Sequence, residues 1–187
     1  MASSSAVVGA SAAVVCADDA RLRRVVREYH DFVWRALRRM GVAEHAAEDA
    51  SQQVFLVMAH KLENVSYDNE RSFLFGTVVR VAADARRAQA RRREVNGEDL
   101  EEPIDPSPSA EVMVDERKAR AMLDSILRSM PDDLRAVFVL CELEEVIAPE
   151  AAEMLEIPVG TVASRLRRAR EHFQAAASRL QRTTRQP

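Results

Sequence analysis

Four arginines, Arg165, Arg167, Arg168 and Arg170, fall within six positions directly after the turn sequence Pro-Val-Gly-Thr at 158–161. A guanidinium is planar, permanently charged and rich in donors. Such a cluster therefore suits phosphate oxygens and the acceptor edge of guanine. Yet the 187-residue chain carries a formal charge of −3. The contradiction is resolved by where the charges lie. Six arginines stand against two acids from Val78 to Glu94, and seven arginines against one acid from Val159 to the end. Residues 97–116 between them hold eight acids, three prolines and no basic residue. Two basic patches separated by an acidic stretch point to two contacts with a polyanion.

No other chemistry is spelled out. There is no Gly-rich phosphate loop and no nucleophile constellation, and His30, His45, His60 and His172 lack metal-ligand spacing. Cys16 and Cys141 form no C-x-x-C pair, and Cys141 sits in an apolar helical stretch that marks it as a core residue. The expectation is a chain with no catalytic residue, no metal and no cofactor, in a reducing cytoplasm. No apolar run reaches ~18 residues, so no membrane contact is expected. The opening "MASSSAVVGASAAVVC" lacks a basic region before its small apolar residues and reads as a disordered leader, 1–17, rather than a signal peptide.

The elements that must carry the arginines are helices. Leu22, Val25, Val26, Tyr29, Phe32, Val33, Leu37 and Met40 recur at helical spacing, predicting one amphipathic helix over about 18–40, ended by Gly41. A second helix is predicted near 43–62 and a third near 70–93, with the loop "ENVSYDNER" between them. After the Pro-rich acidic stretch, helices are predicted near 113–129, 132–144, 149–155 and 159–180. No strand-like alternation persists. The fold class is all-α: two compact helical modules, 18–95 and 113–182, joined by a flexible acidic linker at 96–112 and followed by a short tail at 183–187.

Within 148–180 the pattern is helix, tight turn, helix, because Pro158 disfavours helix at Ile157. Val162, Leu166, Ala169, Phe173 and Leu180 share one side of the last helix. At about 100° per residue Ser164 and Arg167 lie opposite them and Arg168 lies nearby, while Arg165 and Arg170 flank the core side. Thr161 belongs to the first turn. A recognition helix needs this arrangement: one side grips the domain and the other enters the major groove. A plain amphipathic helix with a solvated arginine face is the alternative. On the second helix, a stripe through Ala47 and Val54 leaves Asp49, Gln52, Gln53 and Leu56 on the opposite side. That is either a partner surface or a solvated face with an incidental leucine. Arg80, Arg86 and Arg87 lie away from the stripe of the third helix and can track phosphates. Asn64, Tyr67 and Asn69 in the preceding loop offer two amides and a ring that either stacks on a base or packs back onto the helices. Gly76 lies inside that helix, as a close approach to a partner or a tolerated imperfection.

"ELEEVIAPEAAEMLEIPVGTVASRLRRARE" resembles region 4 of the extracytoplasmic-function (ECF) group of sigma-70-type RNA polymerase factors. "AAEDASQQVFLVMAHKL" and "NERSFLFGTVVRVAADARRAQARRR" resemble regions 2.2 and 2.3–2.4 of the same group. The resemblance covers about 18–94 and 112–182. It implies a three-to-four-helix region 2 bundle, a region 4 helix-turn-helix and no enzymatic activity. It further implies that Thr161, Ser164, Arg165, Arg167, Arg168 and Arg170 meet the −35 element. Asn64, Tyr67, Asn69, Arg80, Arg86 and Arg87 would serve −10 recognition and melting. Asp49, Gln52, Gln53 and Leu56 would dock onto the β′ clamp helices of core RNA polymerase, with the β subunit meeting region 4. Members are often held by an anti-sigma factor. The sequence departs from the pattern at Gln53 (usually glutamate), Phe73 (usually Trp), Ile147 (usually a Ser or Thr cap), Glu156 (usually glycine) and Ala163 (often basic). A stand-alone helix-turn-helix regulator would have no need of the Asp49 face, and an adaptor with merely soluble arginines would bind without a steep salt dependence.

Overall fold

The computed structural model describes residues 5–96 and 111–184. The expected linker at 96–112 falls almost wholly outside them, as does most of the tail. Seven α-helices follow in order: α1 Ser5–Arg39, α2 Glu44–Lys61, α3 Glu70–Asn96, α4 Glu111–Ser129, α5 Asp132–Phe138, α6 Ala148–Leu155 and α7 Val159–Thr184. Two 3₁₀ turns, Leu62–Asn64 and Tyr67–Asn69, fill the α2–α3 loop, and a π-helical turn, Val139–Leu143, prolongs α5. There are no strands among the described residues. α1 begins at Ser5, within the 1–17 stretch read as a leader. Its alanines favour helix, and no proline interrupts the run into the periodic part.

The first module is α1, α2 and α3 packed on each other. Val25, Val33, Leu37 and Met40 of α1 meet Ala47, Val54 and Met58 of α2 and Leu74, Phe75 and Val78 of α3, all fully or almost fully buried. Phe32 and Phe75 tilt against each other with centroids 6.2 Å apart. Phe73, at the position of the usual Trp, is a partly buried member of the same core. In the second module α4, α5 and α6 enclose the inner face of α7, and Phe138 stacks on Phe173 at 5.1 Å. Cys141 packs against this core, and burial pushes its thiol up, with Glu142 adding to the effect. Among the described residues no helix is long and apolar enough to cross a membrane.

The sequence gives two modules and a linker but no contact between the modules. In the structure α6 packs on α3, and charged side chains of both modules meet around the end of α1. Gly41 ends that helix at φ +89°. Its N–H bonds to the Arg38 carbonyl at 2.9 Å, and Val42 N–H bonds to the Leu37 carbonyl at 3.0 Å. The Met40 carbonyl left at this terminus accepts from Arg135 of α5 at 2.8 Å and from Arg86 of α3. Arg135 is 3% exposed and also donates to the Arg128 and Met130 carbonyls at the end of α4, at 3.0 and 2.7 Å. One guanidinium therefore caps two helix C-termini, where negative dipole ends attract it. Burial, and next the neighbouring Arg86, pull its pKa down to about 10, so it remains charged at neutral pH. On the other side of the junction Glu144, after the π-turn, accepts from Arg39 and lies 3.9–4.0 Å from Arg71 and Arg35.

Two glycines make opposite predictions here. A Cβ on Gly41 would stand 2.9 Å from Arg135 Nη1 at a positive φ, so Gly41→Ala should destabilise the protein by about 1–2 kcal/mol or more in denaturant unfolding. A Cβ on Gly76 would lie 3.5 Å from the Met154 carbonyl, an ordinary contact. Gly76→Ala should therefore be tolerated or stabilise α3 by up to about 1 kcal/mol. The close approach does not require glycine.

Candidate nucleic-acid interface

Helix α6 begins at Ala148–Pro149 with Ile147 as a cap that supplies no side-chain bond, as expected from the missing Ser or Thr. Ala151, Ala152 and Met154 bury its inner face. Its end is the sharp turn. Glu156 adopts φ +54°, ψ 42°, the left-handed conformation that glycine enters without steric cost. The Ile157 N–H then bonds to the Ala152 carbonyl at 3.0 Å. The Pro158 carbonyl accepts from Thr161 at 2.8 Å and Val162 at 3.1 Å, which starts α7. Val162 and Ala169 are fully buried, with Leu166 and Phe173 beside them.

The outer face of α7 carries Ala163, Ser164, Arg167 and Arg168, all exposed, while Thr161 is half-buried. Ser164 Oγ donates to the Thr161 carbonyl at 3.0 Å, and Arg167 pairs with Glu171 at 2.8 Å along the same face. Arg165 and Arg170 flank the core as the helical angle required. Each is already held by a carboxylate of the α5 segment, Arg165 by Asp133 at 3.3 Å and Arg170 by Glu142 at 2.6 Å. Pairs this exposed are individually worth little, so a phosphate oxygen can displace either carboxylate.

On α2 the expected docking residues share one open face. Asp49, Gln52 and Gln53 are exposed, and Leu56 is 60% exposed. Beside them a groove of about 370 Å³ runs between α1 and α2, lined by Leu22, Val26, Phe55, Leu56 and Ala59. Ser51 Oγ also lines this groove, buried and without a hydrogen-bond partner. The trough is apolar, with Glu48, Gln52 and His30 at its edges.

The residues assigned to strand opening are divided. Arg80 is exposed, and Arg87 is exposed and pairs with Asp84. Arg86 does not track outward. It is drawn into the module junction, donating to the Met40 carbonyl and to Asp132. Asn64, Tyr67 and Asn69 are all exposed on the α2–α3 loop, Tyr67 by 63%, so its ring does not pack back into the core. What the sequence reading missed lies beneath this loop. Glu70 is 1% exposed and binds Arg21 at 2.9 Å and Arg24 at 2.6 Å, both from α1. Arg21 and Arg24 look like solvated positions in the sequence. The only signal was their i, i+3 spacing, one helical turn, which faces both the same way.

Comparison with known proteins agrees with this layout. Residues 25–92 match the family model for sigma-70 region 2, and residues 120–173 match that for sigma-70 region 4. The chain is 31% identical to the ECF RNA polymerase sigma-E factor of Haemophilus influenzae, over 70% of this chain and 74% of that protein. It is 30% identical to the RNA polymerase sigma-H factor of Pseudomonas aeruginosa, over 72% and 74%. It is 29% identical to the ECF RNA polymerase sigma factor SigE of Mycolicibacterium smegmatis, where it spans 58% of the relative's length. In fold it is similar to CnrH, solved in complex with the cytosolic domain of CnrY, with a TM-score of 0.62 at 24% identity over 84% of this chain and 87% of that one. It is likewise similar to the sigma factor RpoE of Bartonella quintana, solved with the anti-sigma factor NepR. There the TM-score is 0.60 at 20% identity, over 81% of this chain and 95% of that one.

The left-handed residue at the turn gives a direct test. Glu156→Gly should raise stability by about 1 kcal/mol by relieving the Cβ clash, measured by urea unfolding. It should leave DNA affinity within about twofold, since Glu156 lies outside the outer face of α7.

Proposed function

The chain belongs to the ECF group of sigma-70 factors, and from that premise we propose that it is a promoter-specificity subunit, without catalysis of its own, that works in the cytoplasm. It recruits core RNA polymerase, reads a −35 and a −10 element, and helps to open the duplex for initiation. In this reading Ser164, Arg167 and Arg168 meet base edges in the major groove, and Thr161, Arg165 and Arg170 meet phosphates. Arg80 and Arg87 follow the opened strand, Arg86 joins them when the junction releases it, and Asn64, Tyr67 and Asn69 receive its bases.

The observation that carries the reading is the exposed α2 face with its groove. A regulator that bound an operator alone would have no use for Leu56 at 60% exposure beside an apolar trough. Asp49, Gln52, Gln53 and Leu56 dock onto the β′ clamp helices, with Gln53 contributing a neutral hydrogen bond where a glutamate would give a charge-assisted one. The β subunit meets the second module. An anti-sigma factor, the class of partner that RpoE of Bartonella quintana is solved with, belongs to the same reading.

Two outcomes test it. Asp49→Ala combined with Gln52→Ala should lower capture of core polymerase by tenfold or more in a pull-down, with an unchanged circular dichroism spectrum. Tight binding to duplex DNA with no capture of polymerase by the wild-type chain would favour the stand-alone regulator. Arg168→Ala should weaken binding of holoenzyme to its −35 duplex by about tenfold, the usual worth of one bidentate base contact. Arg165→Ala should instead reduce the slope of affinity against salt by about one counterion.

A further inference from the structure

Tyr67 is the one large aromatic side chain left open on the α2–α3 loop, and the structure builds a support beneath it. The Arg21 guanidinium lies 4.0 Å from the ring centroid, and that of Arg24 lies 5.4 Å away. With the Arg21 guanidinium over the ring and 63% of the residue still exposed, most of the ring stays open to solvent. Arg21 is itself fixed in three directions. Its Nε donates to Glu70 at 2.9 Å, its Nη1 to the Leu62 carbonyl at 3.0 Å and its Nη2 to the Val65 carbonyl at 2.5 Å. Those carbonyls belong to the loop, so Arg21 ties it to α1. Glu70 holds both arginines from a position with 1% exposure, where an unpaired carboxylate would be strongly disfavoured. Arg24, partly exposed, lies over the same ring and pairs with Glu28 as well as Glu70.

We propose that Arg21 and Glu70 are positioning residues for strand capture: they hold Tyr67 as a one-sided platform on which an unpaired base stacks, while Arg24 draws the adjoining phosphate. The proposal rests on the strand-opening role of this module given above and names how that role is executed. The physics favours it in two ways. A cation against one π face withdraws electron density and strengthens stacking of an electron-rich base on the other. A ring already fixed in place loses little freedom when a base arrives. The ligand class is a single-stranded nucleic acid with a purine at the stacked position, bound with tolerance of the flanking sequence.

The test uses the full chain and a 20-nucleotide thymidine strand with one central 2-aminopurine, whose fluorescence is quenched on stacking. Wild type should bind and quench, and Tyr67→Phe should do the same. Tyr67→Leu should lose the quench and bind about tenfold more weakly. Arg21→Lys keeps the charge but cannot fork across three acceptors, and should lose most of the quench. Arg21→Lys added to Tyr67→Leu should cost nothing further in affinity, because the two act as one unit. Glu70→Gln should reproduce Arg21→Lys where the unfolding midpoint shows the protein folded, and Arg21→Lys itself carries the test if it does not. Equal quenching by wild type and Arg21→Lys, or additive losses in the double variant, would overturn the brace. Polymerase capture distinguishes the two failures: if it persists while the brace variants behave as wild type, the brace alone falls. If the wild-type chain captures no polymerase and binds no strand, the functional reading falls with it.

Discussion

The carbonyl of Met40 is the point on which both modules depend. It is exposed by the end of α1 and would be left without a partner in a dry junction, which is a costly state for a backbone acceptor. Arg135 fills it from the second module and Arg86 from α3. Arg135 Nη2 meanwhile donates to the carbonyls that end α4, those of Arg128 and Met130. The residue closes two helices at once, and its burial is tolerated because each acceptor sits at the negative end of a helix dipole. Gly41 has to be small and left-handed to let that guanidinium in. A local chain reversal and the docking of two modules are thus one constraint.

The same economy of charge runs through the second module. Asp132, Asp133, Glu142 and Glu144 lie on the α5 segment and meet Arg86, Arg165, Arg170 and Arg39 respectively. The π-turn after α5 gives the chain an extra residue before Glu144 and sets that carboxylate, 8% exposed, among arginines of the first module. These carboxylates partly neutralise and hold in place the arginines around them.

Much of the layout was legible because helical periodicity is a local property. The stripe through Val162, Leu166 and Ala169 tells which arginines of α7 point outward, and the resemblance marks Ile147 as lacking the usual cap. Glu156 stands out only through the resemblance, as a departure from the usual glycine, and it takes the left-handed conformation that glycine enters freely. What escaped were contacts between residues far apart in the chain. Arg135 is an unremarkable position on a short helix until Met40, 95 residues earlier, is brought beside it. Arg21 and Glu70, 49 residues apart, carry no joint signal in a single sequence. Arg86 was assigned to phosphates from its helical angle, and that angle is correct. The neighbour it meets is set by tertiary packing, which periodicity does not encode.

Arg86 has only so many donors. Those donors hold the Met40 carbonyl and Asp132, and in the proposed function the same donors would serve an opened strand. On that proposal strand binding and the hold between the modules would compete for one side chain, and such linkage is reciprocal: each would weaken the other by the same free energy.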